Sequence, residues 1–545
     1  MSNDSESSPE EASKPDINVE DNPAVGGAYS YYVLSVLIIV YVFNFIDRSI
    51  LSILAEPIKA DLGISDAQIG FLYGTVFAVF YALFGIPLGR LADVWNRKSL
   101  ISIGLFFWSA MTALSGTARS FVSLSVYRIG VGVGEASASP SAFSMLGDYF
   151  PPRLRATALA IYSSGVYIGS GIGMFLGGWI VKSWDEAYPA GDAPFDLSGW
   201  HVAFFVVGLP GLVMALWVWT LREPIRGMSE GITETKKHPH PFLAFFEEVL
   251  AVLPPFTFYS LIRSKASTKI LTTNIVAAVL LALTGVGLAI WLDEKAQWIA
   301  LGVGIYASIS WMQSLSLRDP IAFKMIFRSR ALVCGVIGFA FITFVTYGVG
   351  FWLAPFYMRG HEQDIALVGR NFGLANAVGG FAGVTFGGIF SDWLRTKTPR
   401  ARPYVGFIAV ATTAPLALWA IYTPNPSTGY IIAYLYNFTS SMWLGSGVAL
   451  ANELVLPRMR ATASAFYLLM LTFVGLAMGP YTIGKVSDAL QASGLKEGPA
   501  LQDAMALSIL TFGVSCFFFV IAAKNVEREE STRLERAREA GEPGI

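Results

Sequence analysis

Long uncharged stretches separated by short charged ones organise this chain. A helix needs about 20 apolar residues to cross the hydrocarbon core of a bilayer. Runs of that kind lie near 31–55, 68–89, 99–118, 121–147, 155–182 and 201–221. The pattern resumes near 332–357, 367–391, 404–422, 429–454, 461–486 and 502–523. Two bundles of six helices are therefore predicted. Two more runs, 270–292 and 296–316, turn at Asp293, Glu294 and Lys295 and predict an inserted helical hairpin, for about 14 spans in all. The segment 241–262 is apolar but interrupted by Glu247, Glu248 and paired prolines, and is expected to lie on the membrane surface.

The expected fold is an all-α polytopic membrane protein. Residues 30–222 form the first bundle, 223–331 a linker with the interfacial helix and two extra spans, and 332–523 the second bundle. The ends, 1–29 and 524–545, are expected to be tails, the first disordered because it is rich in Ser, Glu, Asp and Pro. Short basic loops carrying Arg90, Arg97 and Lys98, Arg153 and Arg155, Arg395 to Arg402, and Arg458 and Arg460 all fall on one side. That side is cytoplasmic by the positive-inside rule and holds both termini.

Composition agrees: 54% of residues are hydrophobic and 14% charged, against about 25% charged in soluble domains. The formal net charge of -1 suggests no nucleic-acid partner. Cys334 and Cys516 sit inside apolar runs and read as packing residues. His201, His238, His240 and His361 lack metal-site spacing, and no phosphate-binding loop motif exists, so neither a metal, a cofactor nor ATP-driven pumping is expected. The glycines of GVGVG at 130–134 lie within a span, where helix packing explains them better than dinucleotide binding does.

The chain repeats itself. PRLRATALAIY at 152–162 recurs as PRMRATASAFY at 457–467, each opening the fifth span of its bundle. GRLAD at 89–93, followed by Arg97 and Lys98, is echoed by GIFSD at 388–392, followed by Arg395 and Lys397. Parallel six-span halves with this loop resemble the major facilitator superfamily, although Asn96 stands where that family usually has glycine. NFIDR at 44–48, RIGVGVGEAS at 128–137 and FRSR at 327–330 resemble the Spinster family of lipid and organic-anion transporters.

Charges inside the spans carry the candidate chemistry. A charge at mid-helix in a bilayer costs roughly 2.5–3.5 kcal/mol even on the lenient insertion scale, so it normally faces a partner or a water-filled cavity. Asp47 and Arg48 lie in the first span, Arg128 and Glu135 in the fourth. The latter two are seven residues apart and share one helix face, about 10 Å apart along the axis. Asp47 and Arg128 lie at compatible depths, about 24 and 29 Å from the cytoplasmic ends of their helices. The resemblance implies that the first and fourth spans line a central cavity, which would gather all four into one network. Desolvation favours a neutral carboxyl and a nearby guanidinium favours a charged one, so a cavity that opens and closes can drive proton exchange. Asp47 and Glu135 are the expected proton carriers. Arg48 and Arg128 are the expected counter-charges or forks for an anionic substrate.

The second bundle's first span has no acid or base in its interior, leaving Tyr347, Trp352 and Asn437, with Asn44 of the first half, as candidate substrate contacts. The resemblance implies that Asp93, assisted by Arg97, gates the cytoplasmic side by meeting a helix N-terminus, with Asp392 and Arg395 as the mirror copy. Gly165, Gly169, Gly173 and Gly177 in the fifth span, and Gly475 and Gly479 in the eleventh, predict close helix contacts. The glycine pattern resembles that of antiporters. The expected function is a monomeric secondary transporter, not an enzyme, that works in the lipid bilayer of a bacterial inner membrane. It would move an amphipathic lipid-like or organic-anion solute by alternating access, coupled to protons, with export favoured. Uptake of an organic acid or sugar acid by symport is the alternative, and a passive channel or membrane enzyme the rival class.

Overall fold

The computed structural model describes residues 25–189, 191–230 and 239–542. Most of the predicted 1–29 tail, and His238, lie outside them. The chain is helical throughout the described residues. The first half holds α1 (Ala28–Ile53), α2 (Ala55–Leu62), α3 (Asp66–Tyr73), α4 (Thr75–Val94), α5 (Arg97–Ser115), α6 (Phe121–Glu135), α7 (Ala138–Tyr149), α8 (Pro152–Ala187) and α9 (Gly199–Trp219). The linker holds α10 (Pro241–Val252), α11 (Phe256–Arg263), α12 (Thr268–Trp291), α13 (Lys295–Arg318) and α14 (Pro320–Phe327). The second half holds α15 (Arg330–Gly360), α16 (Ile365–Ala375), α17 (Phe381–Arg395), α18 (Ala401–Tyr422), α19 (Pro426–Ser441), α20 (Leu444–Glu453), α21 (Arg460–Met470), α22 (Met478–Ala492), α23 (Glu497–Ile509), α24 (Phe512–Ser531) and α25 (Arg533–Ala540).

Among the described residues eleven helices are long and apolar enough to cross a membrane, or twelve if α10 and α11, bent by 108°, count as one span. The hydrophobic pattern predicts about 14. Two predicted spans miss the count because they are broken in the middle: 121–147 becomes α6 and α7, and 429–454 becomes α19 and α20. The 296–316 run forms α13, whose Gln and Ser residues keep it below the apolar threshold. The bend between α10 and α11 falls at Pro254 and Pro255, where a helix cannot continue its hydrogen bonds. The segment read as a C-terminal tail is helical and packed. Glu529 accepts bonds from the Ser329 hydroxyl and the Arg330 and Ala331 amides, so it caps α15.

Glycines set the closest helix contacts. On α8, a Cβ at Gly173 would lie 2.9 Å from the Ile46 carbonyl oxygen of α1, and one at Gly165 would lie 3.3 Å from Tyr41. Gly169 and Gly177 meet α1 on the same face. Gly475 and Gly479 stand against Thr343 and Phe344 of α15, so the second half repeats the contact. Backbones this close gain dispersion contacts that a side chain would forbid.

The two halves are tied mainly on the side away from the termini, here termed the far side. There one apolar cluster runs from Leu54 and Ile58 of the first half into Val345, Val349 and Phe351 of the second. Ser52 donates to the Phe351 carbonyl (2.7 Å), and Thr75 to the Ala477 carbonyl (2.7 Å).

Candidate functional site

The four charges expected to form one network divide into two layers. Arg48 donates from Nε to Glu135 Oε2 at 2.6 Å, and its side chain keeps 16% exposure while that of Glu135 has none. The Arg48 guanidinium lies over the rings of Phe45, Phe77 and Tyr81 at 4.8, 4.6 and 4.7 Å, a cation–π cradle. Behind this pair, Asp47 and Arg128 are buried inside the first half. Arg128 Nη1 donates to the backbone carbonyl of Asp47 at 3.2 Å rather than to its carboxylate. Trp108 and Thr112 of α5 flank that carboxyl.

The packing leaves polar capacity unused. Asn44 Oδ1, Asp47 Oδ1, Arg128 Nε and Glu135 Oε1 are all buried without a hydrogen-bond partner in the protein. Each such group costs about 1–3 kcal/mol, and natural proteins keep such groups few. Four of them gather around the Arg48–Glu135 pair and the neighbouring Asp47 and Arg128.

The candidate substrate contacts separate. Tyr347 projects from the second half against the first half's apolar cluster, within electrostatic reach of Arg48. Trp352 is fully buried and donates from Nε1 to the Pro480 carbonyl at 2.8 Å, and Asn437 donates to the Ala433 carbonyl of its own helix at 2.8 Å. Both are engaged in packing. Asn44 is buried next to Glu135.

The gate residues also find other partners. Arg97 binds Asp148 (2.5 Å), Glu223 (2.8 Å), Ser144 (2.8 Å) and the Pro224 carbonyl (2.9 Å). Asp93 is exposed and makes no ion pair among the described residues. In the second half Asp392 pairs with Arg402 (2.8 Å), which also binds Glu453 (2.7 Å) and Ser391 (2.7 Å). Arg395 instead pairs with Glu530 and, at 3.7 Å, Glu453. Arg402 and Glu453 follow Arg97 and Asp148 by the same offset that separates Pro152 from Pro457. Registering the repeat on those prolines would have found them.

A second charged cluster, built from residues outside the sequence-predicted site, joins the halves on the far side. Arg359 of α15 grips Asp66 with both terminal nitrogens (2.7 and 2.8 Å) and donates from Nε to Glu56 at 2.7 Å. Asp66 also receives Lys59 (3.0 Å), Ser487 (2.8 Å) and Gln491 (3.0 Å). Asp488 of α22 accepts from the amides of Asp66 (3.0 Å) and Ala67 (2.8 Å), capping α3 from across the interface. Burial pushes the Glu56 carboxyl up from its ordinary range, against the pull of Arg359. The signal available in sequence was a lone arginine and lone acids at span ends of opposite halves.

Comparison with known proteins settles the family. A profile of the Major Facilitator Superfamily matches residues 37–480. This chain belongs to that superfamily of transporters and is related to the Spinster family. It is 24% identical over 465 residues to an MFS-type efflux pump of Mycolicibacterium smegmatis, covering 85% of this chain and 86% of that protein. It is 26% identical over 502 residues to protein spinster homolog 1 of Homo sapiens, covering 88% of this chain and 78% of that protein. A solved bacterial homolog of the human lysosomal transporter Spinster, inward-facing and unoccupied, superposes with a TM-score of 0.66 at 27% identity. That match covers 93% of this chain and 98% of the other. The protein is thus a multi-pass secondary transporter and not an enzyme.

Proposed function

We propose that this transporter exports an amphipathic, lipid-like or organic anion by alternating access, in exchange for protons. The observation that carries the reading is the Arg48–Glu135 pair, partly exposed on the arginine side, cradled by three aromatic rings and faced by Tyr347. An anionic headgroup competes with Glu135 for the Arg48 fork, and the aromatic rings take the apolar part next to it. Glu135, once released, is a carboxylate in a poorly hydrated site without its counter-charge, and the neutral form is then favoured. Substrate leaving reverses the exchange. Asp47 and Arg128, one layer deeper, take up or return charge as the hydration of the site changes. The likeness to an efflux pump supports export.

Both termini lie in the cytoplasm on this reading, because the basic loops share their side. Ties gathered on the far side then make the structure inward-facing, with Arg359, Asp66 and Glu56 as the closed outer gate and the Arg97 and Arg402 clusters at the cytoplasmic mouth. Helices α12 and α13 form an inserted hairpin that crosses the bilayer twice, for fourteen crossings with the six-plus-six arrangement. Its support is the exposed apolar surface of α12 and a buried clasp in which Asn274 bonds Ser310 (2.9 Å), Gln313 (2.7 Å) and Tyr306 (2.7 Å). A bacterial inner membrane is the proposed location.

The test is transport in proteoliposomes with an imposed pH gradient, using lysophospholipids, sphingoid phosphates and organic acids as candidate substrates. Saturable counterflow and gradient-driven flux are expected for at least one class. Flux of that substrate unaffected by the pH gradient rules out proton exchange, and flux that never saturates points to a channel.

A further inference from the structure

The linker hairpin touches both halves at once. Helix α13 lies in the seam between α4 of the first half and α21–α22 of the second. At its far end the Glu294 carboxylate meets Lys485 Nζ of α22 at 3.4 Å, and Gln297 donates to the Met478 sulfur at 3.7 Å. Trp298 stands edge-on to Tyr481, with ring centroids 6.0 Å apart, in a small cluster that also holds Phe71 and Val76 of the first half. Midway, a Cβ at Gly304 would come within 3.3 Å of Val79 of α4 and closer still to the Phe473 ring of the second half. Nearer the termini, Ala307, Ser308 and Trp311 share one small cavity with Ala82 and Ile86 of α4 and with Leu469 of α21.

A helix with one face against each half cannot stay indifferent when the halves rock. Because α13 contacts both halves along its length, a change in their separation on the termini side would change its fit. Gly304 leaves no slack, since a methyl group there would overlap the Phe473 ring and press on Val79 at 3.3 Å. Opening the far side also parts Lys485 from Glu294 or carries α13 away from α4.

We infer that α13 is a state-dependent wedge: its fit between Val79 and Phe473 and its Glu294–Lys485 latch favour the arrangement with the termini side open, and it must shift in the seam each time the transporter turns over. The inference rests on the proposed reading that α12 and α13 span the membrane. A ligand or contact shifts a two-state equilibrium only by its difference between the states, and the wedge supplies such a difference without touching the substrate site.

The experiment measures spin-label distances between Thr157→Cys on α8 and Thr396→Cys beyond α17, in full-length protein with Cys334 and Cys516 replaced by alanine. In lipid nanodiscs, Lys485→Gln and Glu294→Gln are each expected to lower the ratio of termini-side-open to closed protein roughly fivefold, the low end of ordinary coupling. Gly304→Leu thickens the wedge and is expected to raise that ratio. Should Gly304→Leu fail to fold, the two latch variants carry the test alone. In parallel, Asp293→Cys is probed with a membrane-impermeant maleimide. Labelling from the far side together with the distance shifts supports the wedge. Labelling from the far side with unmoved distances overturns the wedge and leaves the spanning hairpin standing. Labelling only from the termini side overturns the spanning reading and the wedge with it.

Discussion

Arg359→Gln is the sharpest test of the outer gate. Arg359 makes three charge-assisted bonds across the interface, to both oxygens of Asp66 and to Glu56, and its side chain is 6% exposed while that of Asp66 has no exposure. Removing one partner of a fully buried ion pair costs about 3–5 kcal/mol, most of it the stranded charge left behind. Here the stranding is partial. Asp66 retains Lys59, Ser487 and Gln491, whereas Glu56, with 22% side-chain exposure, loses its arginine but has some access to water. The expected cost is therefore at or below the low end, about 2–3 kcal/mol. It falls on the arrangement with the gate closed, because opening separates α15 from α3 and hydrates both sets of groups. With a tenfold change for every 1.4 kcal/mol, the gate-closed population falls roughly 30- to 150-fold relative to the open one. Spin-label distances between residues 157 and 396 in nanodiscs read this directly as a shift to shorter separations. Salt should change the result little, since buried pairs are weakly screened. Arg359→Lys keeps the charge but not the two-pronged fork, and should shift the population less. A folded, monodisperse Arg359→Gln protein with the parent distance distribution would refute the gate.

Three further outcomes are expected. Glu135→Gln should abolish pH-driven flux in proteoliposomes yet retain substrate counterflow, and unchanged pH-driven flux would sink the proton-exchange reading. Arg48→Lys loses the planar fork and the stacking on Phe77, so substrate binding, followed by thermal stabilisation, should weaken about tenfold. Gly173→Ala forces a methyl group onto the Ile46 backbone and should destabilise the protein by about 1–3 kcal/mol, whereas Gly89→Ala, with open space around it, should be neutral or mildly stabilising; thermal melts compare the two.

The first-half charges were legible as a site because a charge in a span demands a reason. Their pairing was not. Depth follows from a rise of about 1.5 Å per residue, and it placed Asp47 level with Arg128. Azimuth needs the neighbouring helices. Adjacent residues on an α-helix point about 100° apart, so Asp47 and Arg48 had to serve different neighbours. Arg48 turned to the interface and took Glu135, while Asp47 turned inward to α5. In the second half Asp392 pairs with Arg402 rather than with Arg395, for a similar reason. Counting forward from Asp392 reached Arg395, but the second-half loop is longer than its counterpart, and counting back from Pro457 reaches Arg402. The glycine faces of α8 and α22 were readable because a four-residue repeat nearly matches the helical turn, whereas the breaks after Glu135 and Ser441 left no mark in the hydrophobic pattern.

What the halves share and what they do not share divide the labour. The clusters around Arg97 and Arg402 occupy equivalent places, hold each bundle together near the termini and make few demands on the other half. Everything proposed to couple ions to substrate is unpaired by the repeat: Asp47, Arg48, Arg128 and Glu135 have no charged counterparts, and α15 answers them with Tyr347. On the proposed reading, a site with charge on one wall and an aromatic face on the other would select a molecule with the same division, a charged head beside an apolar body. Rocking of the halves, as proposed, would change the hydration of Arg48 and Glu135 while the aromatic wall keeps its chemistry in either state. Proton exchange of the proposed kind would therefore need acids on one side only, and a second set in the other half would add desolvation cost without adding a partner for the substrate.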